Sequence, residues 1–103
     1  MDNNIFKLKD KVVVVTGANG QLGKSICSFF ENIGSNVLKL DLENSFKKKT
    51  SRCYDLNITN RKNVKNVFKN IFDKYGRIDV LINNAGVSTF EPFEERSEEN
   101  FDW

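Results

Sequence analysis

Gly17, Gly20 and Gly23 recur every three residues between a run of valines, residues 12–15, and a stretch with helical apolar spacing. Glycine lets the backbone turn tightly and approach a ligand closely, and a helix N-terminus offers unpaired N–H groups to a diphosphate. Turns use glycine for geometric reasons alone, so the trio is read with its surroundings. A buried strand precedes it, an amphipathic helix follows it, and Asp41 closes the next strand where a ribose-binding acid is expected. The pattern points to a dinucleotide. A carboxylate at Asp41 would accept hydrogen bonds from both ribose hydroxyls and repel a 2′-phosphate, which favours NAD. A plain turn residue is the alternative role for Asp41. Lys24 and the lysines at 47–49 could supply counter-charge to a phosphate, so NADP stays open.

Other chemistries are excluded by composition. The 103 residues contain no histidine, and Cys27 and Cys53 stand in no metal-binding or CxxC spacing. A Cys/His nucleophile and a His-containing zinc site are therefore ruled out. Two isolated thiols fit a reducing compartment. The opening MDNNIFKLKD has no apolar core of a signal peptide, and no apolar run approaches membrane-spanning length, so a cytoplasmic chain without a membrane partner is expected. The net charge of +2 is nearly balanced, and Lys47, Lys48 and Lys49 read as a solvated loop. A nucleic-acid partner would want a larger, one-sided excess with interleaved aromatics, so none is expected.

These residues need a scaffold. Lys11–Thr16 reads as a strand buried on both faces, because its valines show no polar alternation. A helix over Gln21–Ile33 carries Leu22, Ile26, Phe29, Phe30 and Ile33 at helical spacing and stops at Gly34. Asn36–Leu40 is a second strand ending at Asp41, Glu43–Thr50 a loop, and Ser51–Asp55 a short third strand. Thr59 is the expected cap of a second helix with Val64, Val67, Phe68, Ile71, Phe72 and Tyr75 on one face and Gly76 at its end. Asp79–Asn83 is a fourth buried strand with Asn84-Ala85-Gly86 as its exit turn. This alternation predicts an α/β fold: part of a Rossmann-type, doubly wound parallel sheet of about four strands with flanking helices. After an acidic stretch at Glu91–Glu95, Ser97-Glu98-Glu99-Asn100 resembles a helix start, and the sequence reaches Trp103 less than two turns later. Residues 1–103 are expected to be the amino-terminal part of a larger domain, ending inside a helix.

Three motifs together resemble the short-chain dehydrogenase/reductases. Thr16-Gly17-Ala18-Asn19-Gly20-Gln21-Leu22-Gly23 is similar to that family's glycine motif, and Asn83-Asn84-Ala85-Gly86 matches the NNAG after its fourth strand. Asp55-Leu56 falls where the family places an Asp against the adenine, and order and spacing agree from Lys9 onward. The resemblance implies that Gly17, Asn19, Gly20 and Leu22 line the diphosphate and adenosine side, and that Asp41 holds the ribose. It places Asp55 and Leu56 beside the adenine, and Asn84, Ala85 and Gly86 beside the cofactor's ribose. Tying neighbouring strands together is an equally weighted role for the NNAG asparagines. Gln21 departs from the TGxxxGxG of the single-domain branch, and TGANGQLG is similar to reductases of dTDP-4-keto sugars in the extended branch. NNAG and the sequence after it resemble the single-domain branch, which is the reading adopted, with an extended-branch fragment or a non-catalytic dinucleotide-binding module as alternatives.

The family resemblance further implies an NAD(P)-dependent oxidoreductase moving hydride between the cofactor and an alcohol or carbonyl substrate. Its proton donor is a Tyr activated by a Lys four residues on. Here Tyr54 is followed at that spacing by Ile58, and Tyr75 by Asp79. No catalytic residue is assigned, and these residues alone are expected to be inactive. The family usually associates through later helices, so a homo-oligomer is expected of the full-length form.

Overall fold

The four-valine run is buried throughout because its alternate side chains serve two different cores. The computed structural model describes residues 7–85. It contains β1 (Val12–Thr16), α1 (Gln21–Ile33), β2 (Asn36–Asp41), β3 (Cys53–Asp55), α2 (Arg61–Tyr75) and β4 (Val80–Asn83). All strands are parallel, in the order β3-β2-β1-β4, with Val14 opposite Leu38 on one side and Leu81 on the other. Val12 and Val14 join Leu38, Leu40 and Leu56 beneath Val64, Val67 and Ile71 of α2. Val13 and Val15 join Val37, Ala18 and Cys27 beneath α1. The expected α/β architecture, a partial Rossmann-type sheet of four strands with a helix on each face, is the one observed.

Several details differ from expectation. On α1 the buried line is Gly23 and Cys27, with Ile26 and Phe30 half-buried, while Leu22 and Phe29 are more than half exposed. The helix sits so close to the glycine turn that only small residues fit its innermost line. The apolar arc of α1 is therefore wider than its contact with the sheet. On α2, Phe72 likewise lies outside the buried line of Val64, Val67 and Ile71.

Asn60, not Thr59, caps α2: its side chain accepts from the Asn63 amide at 3.0 Å. Thr59 is captured one turn earlier, with its hydroxyl donating to Asn57 Oδ1 at 2.6 Å. β3 starts at Cys53 because the Cys53 amide first closes a turn onto the Thr50 carbonyl at 3.0 Å. β4 is not fully buried, and Leu81 is 47% exposed, since among the described residues only β1 pairs with it.

At the end of the sheet remote from the glycines, Asp79 accepts from the Val12 amide at 2.8 Å and from Arg77 at 2.7 Å. The Arg77 guanidinium, then the Val12 amide, holds this carboxyl below its ordinary value. Gly86, the acidic stretch at Glu91–Glu95 and the helix start at Ser97 lie outside the described residues. Among the described residues no helix is long and apolar enough to cross a membrane.

Candidate functional site

The carboxyl ends of β1, β2 and β4 converge on the glycine turn. Gly17 adopts φ 64°, and the turn closes with the Ala18 amide on the Leu40 carbonyl at 3.1 Å and the Gly20 amide on the Gly17 carbonyl at 3.2 Å. No side chain caps α1, and its first turn carries no acid. No carboxylate of its own thus competes for the N–H groups at that helix start, which the aligned peptide dipoles make attractive to an anion.

Asp41 is fixed beside this turn. One of its carboxylate oxygens accepts from the Asn19 amide at 2.8 Å and the other from the Leu42 amide at 2.7 Å. A carboxylate has about four acceptor positions, so roughly half of its capacity is left for a ligand's hydroxyls. The Asn19 side chain donates to the Ser45 carbonyl and ties the following loop to the turn. Gly17, Asp41, Leu56 and Ala85 surround a cleft of about 140 Å³, with Leu42 and Ile58 as partly exposed apolar lips. Such a cleft suits a flat, partly apolar group attached to a diol.

Thr16 is the hub beneath the cleft. Its fully buried hydroxyl is 3.2 Å from Asn83 Oδ1, to which it donates, and it accepts from the Ala85 amide at 3.1 Å. Asn84 donates from its side chain to the Gly17 carbonyl at 3.2 Å. Asn83 and Asn84 thus lock β4 to β1 and to the glycine turn. Thr16→Val keeps the shape and removes the hydroxyl, leaving a buried amide and a buried carbonyl unpaired. We expect it to cost about 1–3 kcal/mol in urea unfolding, with Thr16→Ser close to wild type. Equal stability of the two variants would show that the hub is not needed.

Of the residues singled out from the sequence, Gly17, Asp41, Leu56 and Ala85 line the cleft. Asn19, Gly20 and the exposed Leu22 lie on the turn and the first helical turn beside it. Asn84 supports the cleft from below, and Gly86 is outside the described residues. Asp55 does not line the cleft; it pairs with Lys49 at 2.8 Å. Sequence reasoning gave no ligand-facing role to Leu42 or Ile58. The available signals were a leucine directly after the ribose acid and a lone apolar side chain in the polar stretch 57–60.

Neither tyrosine is set up for proton transfer. Burial, and then the neighbouring Tyr75, pushes the Tyr54 hydroxyl above its ordinary value, opposite to what a proton-donating tyrosine activated by lysine requires. Burial pushes the Cys27 thiol up to about 11, which removes it as a nucleophile. Among the described residues no three His, Cys, Asp or Glu side chains cluster as metal ligands.

Known proteins share this arrangement. The NAD-dependent glycerol dehydrogenase of Listeria innocua is 34% identical over 94% of this chain and 41% of its own length. The ligand-free aldohexose dehydrogenase of Thermoplasma acidophilum superposes with a TM-score of 0.70 and 37% identity, over 88% of this chain and 35% of that one. A short chain dehydrogenase of Leptospira borgpetersenii with bound NAD+ gives a TM-score of 0.70 and 36% identity, over 98% of this chain and 41% of that one. The chain thus spans about two fifths of the length of such relatives. The family model described as short chain dehydrogenase matches residues 11–103, and the chain belongs to that family.

Proposed function

We propose that residues 7–85 form the adenosine-diphosphate end of a nicotinamide dinucleotide site, within an oxidoreductase that moves hydride between that cofactor and an alcohol or carbonyl substrate. The observation that carries this reading is Asp41, held by two backbone amides beside an α1 start that has neither cap nor acid. A dinucleotide fits these residues: an open helix N-terminus for the diphosphate, spare carboxylate lone pairs for a ribose, and an apolar-lipped cleft for the base.

The residues then divide the work. Gly17, Asn19, Gly20 and Leu22 approach the diphosphate, and Asp41 orients the ribose through its hydroxyls. Leu56 encloses the base with Leu42 and Ile58, while Asp55 must exchange Lys49 for the base edge if it takes part. Asn84, Ala85 and Gly86 border the second ribose. The cofactor, when bound, supplies the hydride donor or acceptor. Asp41 favours NAD over NADP by charge, and the Listeria relative is named as NAD-dependent.

The whole domain we take to be larger, with residues 1–103 as its amino-terminal part. The longer relatives support this, as do the exposed Leu81 on β4 and Phe29 on α1. The proton donor, the substrate contacts and the surfaces of a cytoplasmic homo-oligomer would then belong to the remainder. Titration with ADP-ribose, followed by amide NMR shifts, tests the site. We expect saturable shifts at Gly17, Leu42, Leu56 and Ala85 and none with nicotinamide mononucleotide. Absence of saturable shifts at those amides under ADP-ribose would sink the reading.

A further inference from the structure

We infer that the cavity between α1 and the β2–β3 loop is a binding site for a phosphate monoester dianion, distinct from the cleft at Asp41. The connection from β2 to β3 contains no helix. Parallel strands taken in the order β1-β2-β3 with right-handed crossovers put α1 and this connection on the same face of the sheet. A loop in place of a second helix leaves a cavity of about 390 Å³ beside α1.

Its lining is cationic. Lys24 reaches it from the first turn of α1, and Lys47 and Lys48 from the loop. Among the described residues no carboxylate pairs with any of these three. The cavity's own carboxylate, Glu31, is already engaged with Lys39 at 3.3 Å. The neighbouring Lys49 is likewise committed, to Asp55 at 2.8 Å.

Three unpaired ammonium groups around one concavity focus positive potential into it. The hydroxyls of Ser28 and Thr50 add short-range donors, and the floor is the buried Cys27, whose thiol stays neutral. A phosphate monoester carries close to two charges at neutral pH and three terminal oxygens, enough to meet three ammonium groups at once. A single carboxylate would leave part of the charge unmatched.

Two sources share this chemistry. One is a free phosphorylated small molecule. The other is a 2′-phosphate on a dinucleotide seated in the cleft, since Gly17 lines the cleft while Ala18 and Asn19 of the same turn line the cavity. The inference does not depend on the dinucleotide reading, because inorganic phosphate tests it alone.

Phosphate titration of the intact chain should give saturable amide shifts at Asn19, Ser28, Thr50 and Cys53. Lys47→Ala/Lys48→Ala, in an exposed loop, should weaken binding about tenfold or more. Lys62→Ala/Lys65→Ala, the same charge change on an exposed stretch of α2, should leave it unchanged. If NADP moves cavity and cleft amides together and loses affinity in the Lys47/Lys48 variant, the phosphate is the cofactor's. If phosphate binds while NAD and NADP affinities stay equal, it is a free monoester. The inference is overturned by absent or non-saturable shifts, by shifts confined to the amides of residues 21–23, or by equal losses in both lysine pairs.

Discussion

Gly23→Ala should lower the thermal midpoint by roughly 10–20 °C, while Gly20→Ala should leave it within about 3 °C. Both residues belong to the same glycine motif, yet a methyl group meets different surroundings at each. At Gly23 an added Cβ would stand 2.0 Å from the Gly17 carbonyl oxygen and 2.8 Å from the Ala18 Cα. Both obstacles are backbone, in a turn pinned by Asn84 and by the Leu40 carbonyl, so neither can swing aside. The helix must lift from the sheet, opening the contact that buries Cys27 and Ala18.

At Gly20 the nearest atom would be 3.5 Å away, and its φ of −75° is open to alanine. The small loss of capping preference there is offset by a less flexible unfolded chain. If Gly20→Ala weakens dinucleotide binding at unchanged stability, the glycine serves the close approach of a diphosphate rather than the fold. Thermal unfolding of the two variants decides the matter. A stable Gly23→Ala or an unfolded Gly20→Ala would show that the packing of the turn has been misread.

Most of the scaffold is legible locally. The valines of β1, the Gly34 and Gly76 stops and the Asn36–Asp41 strand are set by short-range periodicity and backbone preference, which a linear sequence displays directly. What escapes depends on neighbours distant in the chain. Leu22, Phe29 and Phe72 carry the right spacing for a core, but how much of a helix surface meets the sheet depends on how closely the helix docks. Leu81 looks like a buried strand residue, and its exposure follows from the strand order. Thr59 and Asn60 are both competent caps, and the choice between them is made by Asn57, whose side chain takes the Thr59 hydroxyl. At the site, Gly17 and Asp41 are visible because each answers a requirement of backbone or charge. Leu42 and Ile58 are two ordinary apolar residues until folding sets them at the mouth of one cleft.

Asp41→Ala should reduce NAD affinity by about 10–100-fold and reduce NADP affinity far less, so that the preference between them collapses. Two ribose hydroxyls donating to a charged acceptor make the strong class of hydrogen bond, and alanine removes both. The same substitution deprives the Asn19 and Leu42 amides of their acceptor and loosens the turn, which would weaken both cofactors alike. The ratio of affinities, not either value alone, therefore reports on the ribose. Asp41→Asn sharpens the comparison. It keeps the shape and one acceptor oxygen but removes the charge that opposes a 2′-phosphate, so NADP should gain while NAD falls. Adding Lys47→Ala/Lys48→Ala to Asp41→Asn then separates repulsion by the carboxylate from attraction by the loop ammonium groups. If both act on the same phosphate, the NADP gain of Asp41→Asn shrinks in the combined variant; independent sites would give additive free energies. Calorimetric titration of each variant with both cofactors reads these differences. An unchanged preference in Asp41→Ala would remove the ribose role, leaving Asp41 as a turn residue that ties the Asn19 amide to the end of β2.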